Sequence, residues 1–71
     1  MAFLRVATLG GEVKEFYVGE GTPVLDFLAD KGVPTQGYRV EVNGAIADGS
    51  TTIESDATVI LAPQVKGGTY K

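Results

Sequence analysis

The sequence predicts a small α+β domain, and three observations carry that expectation. Two alternating stretches near the start are separated by Gly10-Gly11 and read as a β-hairpin. A short segment after them has apolar residues at helical spacing between a start signal and a stop signal. Alternation then returns, punctuated by Asn43-Gly44 and ending in an apolar run before Pro63. Such a helix and such a sheet each have one apolar face, which they bury against one another.

The first strand is predicted over residues 3–8, with Leu4 and Val6 on one face and Arg5 on the other. Leu9-Gly10-Gly11-Glu12 supplies the turn, and residues 13–18 form the returning strand. Phe16 and Val18 are expected to face the core, with Lys14 at the fraying start of that face. Gly19-Glu20-Gly21 breaks the pattern. Thr22 is the expected N-cap, its hydroxyl accepting from an orphan helix N–H, and Pro23 takes the first helical position. Val24, Leu25, Phe27 and Leu28 form the apolar face of a helix over residues 23–31, with Asp26 and Asp30 opposite. Lys31 falls in the last turn, and Gly32 suits the left-handed residue that ends a helix.

Residues 32–37 form a loop containing Pro34. Tyr38, Val40 and Val42 share the inner face of the third strand. Asn43-Gly44 predicts a type I′ turn into a short strand at residues 45–47. Ile53 is expected to plug the core from a short connection. Residues 57–62 form the last strand, with Val59 and Leu61 on one face and Ile60 on the other. The expected order is thus β-β-α-β-β-β, a mixed sheet of four to five strands on one helix. The expected core is Leu4, Phe16, Val24, Phe27, Leu28, Val40, Val42, Val59 and Leu61. The domain spans 1–63, and residues 64–71, which hold two adjacent glycines and little apolar content, read as a flexible tail.

Seventy-one residues make one domain with a thin core. The chain has neither cysteine nor histidine. That excludes a disulfide framework, a thiolate nucleophile and a Ser-His or Cys-His triad within the chain, and it removes the commonest metal ligand. A net charge of −3 opposes non-specific nucleic-acid binding. No apolar run approaches the ~20 residues of a membrane span, and the first residues lack the pattern of a signal peptide. The expectation is a soluble, cytoplasmic monomer that engages neither nucleic acid nor membrane.

Several candidate sites have plain alternatives. Gly10-Gly11 lacks the Gly-Lys-Ser/Thr ending of a phosphate loop and reads better as a hairpin turn. Asp48, Glu54 and Asp56 lack the spacing of a calcium loop and read as turn residues. Arg5, Tyr17, Arg39, Glu41 and Ile60 fall together on the sheet face away from the core. That face is either an ordinary mixed surface or a partner-binding one.

The last stretch adds a resemblance. Asp56, the apolar strand, Pro63, Val65, Gly67 and Gly68 follow one another as they do at the end of the MoaD- and ThiS-type sulfur carriers. Those proteins have an acidic turn, an apolar strand, in many members a proline, and then Val-x-Gly-Gly. The turn Val42-Asn43-Gly44 is also similar to one common in these families. Element order and length resemble the β-grasp fold of ubiquitin and its small prokaryotic relatives. The resemblance implies a carrier or modifier with no catalytic residue of its own and no bound cofactor. An adenylating enzyme would use ATP to activate a terminal glycine carboxylate, which then accepts sulfur as a thiocarboxylate or an amine as an isopeptide. Gly67 and Gly68 would be the activation and conjugation residues. Val65, Lys66, Ile60 and Arg39 would be partner-binding residues. The chain continues past Gly68 with Thr69-Tyr70-Lys71. Activation at Gly68 therefore requires a processing protease; the alternative is a non-conjugating interaction module that works through its sheet face.

Overall fold

The computed structural model describes residues 1–64. Within them the order is β1 (Ala2–Thr8), β2 (Val13–Val18), β3 (Thr22–Pro23), α1 (Val24–Asp30), β4 (Tyr38–Val42), β5 (Ala45–Ile46), β6 (Thr52–Ile53) and β7 (Ala57–Pro63). Five strands form one mixed sheet in the order β2-β1-β7-β4-β5. The domain is therefore α+β, with a mixed five-stranded sheet and one helix. β1 and β7 run parallel, Leu4 opposite Ala57 and Thr8 opposite Leu61. Parallel neighbours cannot be joined by a tight turn, so everything between them, α1 included, serves as the connection. The other three pairings in this sheet are antiparallel.

One face of the sheet is dry. Leu4, Val6, Val18, Val40, Val59 and Leu61 alternate inward from four strands and meet Val24 and Leu28 of α1 and Ile53 of β6. Six of the nine expected core residues are buried. Phe16, Phe27 and Val42 are partly buried and pack against the others. The rings of Phe16 and Phe27 meet edge to face at 5.5 Å and close one side of the helix–sheet seam. Ile53 is 1% exposed, as its role of plug requires. Among the described residues no polar or charged side chain is buried.

The start of the helix differs from expectation. Thr22 and Pro23 pair with Ile53 and Thr52 as a second, two-residue antiparallel sheet. Pro23 is extended, with ψ 126°, so helical geometry begins one residue later at Val24. The Thr22 hydroxyl is a donor to Gly19 O at 2.6 Å rather than an acceptor at the helix end. The orphan amide of Val24 donates instead to Thr51 O at 3.0 Å. A strand pairing with β6 thus displaces the side-chain cap, because it satisfies the same backbone groups through the main chain.

The helix ends at Asp30, one residue short of the expected Lys31, which is the C-cap and not part of the last turn, while Gly32 takes the left-handed place expected of it. Gly32, at φ +76°, donates to Ala29 O, and Val33 donates to Leu28 O at 2.9 Å. These two bonds form the Schellman motif, which needs the left-handed residue that glycine supplies without strain. The motif turns Val33 into the core at 6% exposure, beside Leu28. Lys31 is the C-cap residue, and its ammonium lies 5.5 Å from the Phe27 ring centroid.

Candidate functional site

The candidate site has two parts: the end of β7, and the sheet face that α1 does not cover. β7 lies between β1 and β4, so its backbone is hydrogen-bonded on both sides. Pairing with β4 continues to Pro63 opposite Tyr38, and one residue further Gln64 N donates to Gly37 O at 3.0 Å. Proline is tolerated here because its nitrogen faces the β1 side, where the register has already ended at Leu61. Beside it lies a shallow groove of about 250 Å³, lined by Leu25, Tyr38, Arg39, Ile46, Ala47 and Gln64. The candidates Val65, Lys66, Gly67 and Gly68, and the tripeptide of residues 69–71, lie outside the described residues.

The uncovered face is organised by register. Val13, Ala7, Ile60, Glu41 and Ile46 are successive partners across all five strands and form one row. Ile60 is half-buried in the middle of that row. Val13 at 58% exposure and Ile46 at 70% hold its two ends. Tyr17, 68% exposed, stands over the neighbouring Phe3 edge to face at 5.5 Å. Arg39, opposite Ala62, borders the same row one step toward the chain end. Ile60 and Arg39, singled out from sequence, therefore share one face on adjacent strands.

The charges on this face are paired within the chain. Arg39 Nε meets Glu41 Oε2 at 2.8 Å, and Arg5 meets Glu15 across the β1–β2 ladder at 3.4 Å. Exposed pairs like these contribute about 0–1 kcal/mol each, so they neutralise and position more than they stabilise. Ile46 and Val13 were not among the sequence candidates. Both were legible: a two-residue turn at Asn43-Gly44 places residue 46 opposite Glu41, and alternation from Tyr17 places Val13 beside it.

The acidic turn residues serve separate structural ends. Asp48 accepts from Ser50 N and Ser50 Oγ at 2.8 and 2.7 Å and from Thr51 Oγ1. Chiefly through the Ser50 hydroxyl and amide, these bonds hold its carboxyl below the ordinary aspartate range. Asp56 accepts from Phe3 N at 2.8 Å and ties the start of β7 to β1. Glu54 accepts from the Thr52 hydroxyl. Among the described residues, no three carboxylates gather where they could hold a metal ion. Nor is any helix there long and apolar enough to cross a membrane. Gly10-Gly11 forms the expected hairpin turn, with Gly11 N donating to Thr8 O.

The chain matches no protein-family profile and no curated protein.

Proposed function

We propose that this protein is a β-grasp sulfur carrier or ubiquitin-like modifier, activated by adenylation at the Gly68 carboxylate once residues 69–71 are removed. The observation that supports this reading is the course of β7. It is held on both sides and stays in register to Pro63, and Gln64 is still bonded to Gly37. Only Val65 and Lys66 then separate this anchored backbone from Gly67-Gly68. A partner enzyme needs such an arrangement: a firm body to grip, and a chain end without side chains that enters a narrow channel to reach ATP. The strand order, with a parallel pair at its centre and the helix on one face, is compatible with the β-grasp fold.

The chemistry belongs to the partner. Adenylation joins the Gly68 carboxylate to AMP and releases pyrophosphate. The resulting mixed anhydride transfers the acyl group to sulfur or to an amine, and AMP leaves. This chain contributes the carboxylate and the docking surface. Mass spectrometry of the protein from its native host tests the reading. Truncation at Gly68, an oxygen-to-sulfur exchange or an adduct there supports it. Finding the full-length chain alone sinks it.

A second reading is a non-conjugating interaction module. It is favoured by the concentration of exposed Val13, Tyr17 and Ile46 on the one sheet face that the helix leaves open. Deleting residues 67–71 separates the two: biological activity is lost for a carrier and unchanged for the module.

A further inference from the structure

We propose that Asn43 is a site of spontaneous covalent modification, converted through a cyclic imide to an isoaspartyl residue, and that its hydrogen bond to Thr58 restrains the reaction in the folded protein. The inference is independent of the tail and of the carrier reading. Asn43 is the chain's single asparagine and is followed by Gly44. Both residues are exposed and sit at positive φ, 50° and 88°. At Gly44 a β-carbon would meet nothing within 4 Å, and as glycine the residue brings no side chain of its own beside its amide nitrogen.

The restraint comes from β7. Asn43 N donates to Thr58 O at 2.8 Å, and Asn43 Oδ1 accepts from Thr58 N at 3.0 Å. The side chain thus stands in for a strand carbonyl and extends the β4–β7 ladder past Val42. In that position the carboxamide oxygen is held toward β7 by the Thr58 amide. The arm that carries the turn is light. β5 is two exposed residues paired only with Glu41 and Val42.

Release of the side chain allows the following steps. The Gly44 amide gives its proton to solvent, and its nitrogen attacks Asn43 Cγ. A nitrogen–Cγ bond forms, the bond from Cγ to the carboxamide nitrogen breaks, and ammonia leaves with a proton from water. Water then adds to one of the two imide carbonyls. Opening at Cγ gives an aspartyl residue; opening at the main-chain carbonyl gives an isoaspartyl residue, whose backbone runs through the former side chain. No electrons are exchanged with any other species. The aspartyl product keeps an oxygen in reach of Thr58 N. The isoaspartyl product lengthens the backbone by one carbon and carries the acceptor away.

Asp48-Gly49 is the chain's other site of this kind. There the Ser50 amide and hydroxyl hold the carboxylate in a local turn. An ionised carboxylate has no good leaving group, so cyclisation at Asp48 is the slower process.

The test uses the full chain in mildly alkaline buffer, with and without urea at an unfolding concentration. Peptide mapping and isoaspartyl-specific methyl transfer locate the product. Conversion is expected at Asn43, faster in urea by at least about fivefold, the factor that one net hydrogen bond of ~1 kcal/mol sets. Equal rates in the two buffers, or product first at Asp48, overturn the proposal. The purified isoaspartyl form and the N43D variant are then compared by amide exchange at Thr58. The variant is expected to keep its protection while the isoaspartyl form loses about fivefold, again one hydrogen bond's worth. Equal protection in the two overturns the assignment of Thr58 as the restraint.

Discussion

The two faces of the five-stranded sheet are made from the same strands and behave as different materials. The helix-side face is a continuous apolar layer in which Leu4, Val24, Leu28, Val59 and Leu61 have no exposed surface. The open face alternates apolar residues with two ion pairs and leaves Val13, Tyr17 and Ile46 largely in water. Leu61 and Ile60 are adjacent in β7 and differ only in the side to which they point. Burial is therefore concentrated on one face, and packing constrains the other less. In so short a chain this division matters, because a thin core leaves little excess stability.

Two substitutions in β7 test the comparison most directly. Leu61→Ala removes a fully buried side chain from the middle of the core and is expected to cost roughly 2–5 kcal/mol, enough to unfold much of the population at physiological temperature. Ile60→Ala, one residue away, is expected to cost less than about 1.5 kcal/mol, because a half-buried side chain leaves no closed cavity. Urea denaturation of the two variants gives both numbers. Equal losses would mean that the open face is part of the core.

A smaller effect is expected where the dry layer is sealed at the end of α1. Gly32→Ala places a β-carbon at φ +76°, where there is space but the conformation itself is unfavourable. The expected loss is about 1–2 kcal/mol, read from the thermal midpoint. A loss well below that would mean that Val33 reaches the core without the Schellman turn.

The smallest effect belongs to Asp48, on the water-exposed loop that leads to β6. Its carboxyl is held below the ordinary value of 3.8 by Ser50 and then Thr51. A depressed carboxyl contributes stability that is fully present above the unfolded-state value and is lost as pH falls through the folded-state value. At neutral pH the contribution is complete, and it disappears only in acid below about 3.8. Asp48→Asn is expected to lose that small contribution at neutral pH and to match the parent well below pH 3.8, flattening the acid limb of stability measured by urea denaturation across pH. An unaltered acid limb would assign that limb to other carboxylates.

The local elements were legible because their signals are local. Alternation at Val13 to Val18 and Tyr38 to Val42, the helical spacing of Val24 to Leu28, and Gly32 after the last helical turn each depend on residues a few positions apart. Asn43-Gly44 predicted its own turn, since two consecutive positive φ values suit few other pairs. On the candidate site, the same alternation placed Arg39 and Ile60 on one face. The Thr22 cap failed for the opposite reason. Its hydroxyl had the right neighbours in sequence, but Thr52 and Ile53, thirty residues away in the chain, paired with that backbone first.

By itself, then, the sequence determined the five segments that become strands of the main sheet, the left-handed residue that follows the helix and which side chains are able to line a core. These follow from backbone sterics and hydrophobic period within a short window. Only the tertiary structure decided that β7 inserts between β1 and β4, that Val33 turns inward, that Asn43 reaches Thr58, and that α1 covers one face of the sheet and not the other. Those outcomes depend on hydrogen-bond partners many residues apart. They were settled when all the segments competed for the same strand edges and the same apolar layer.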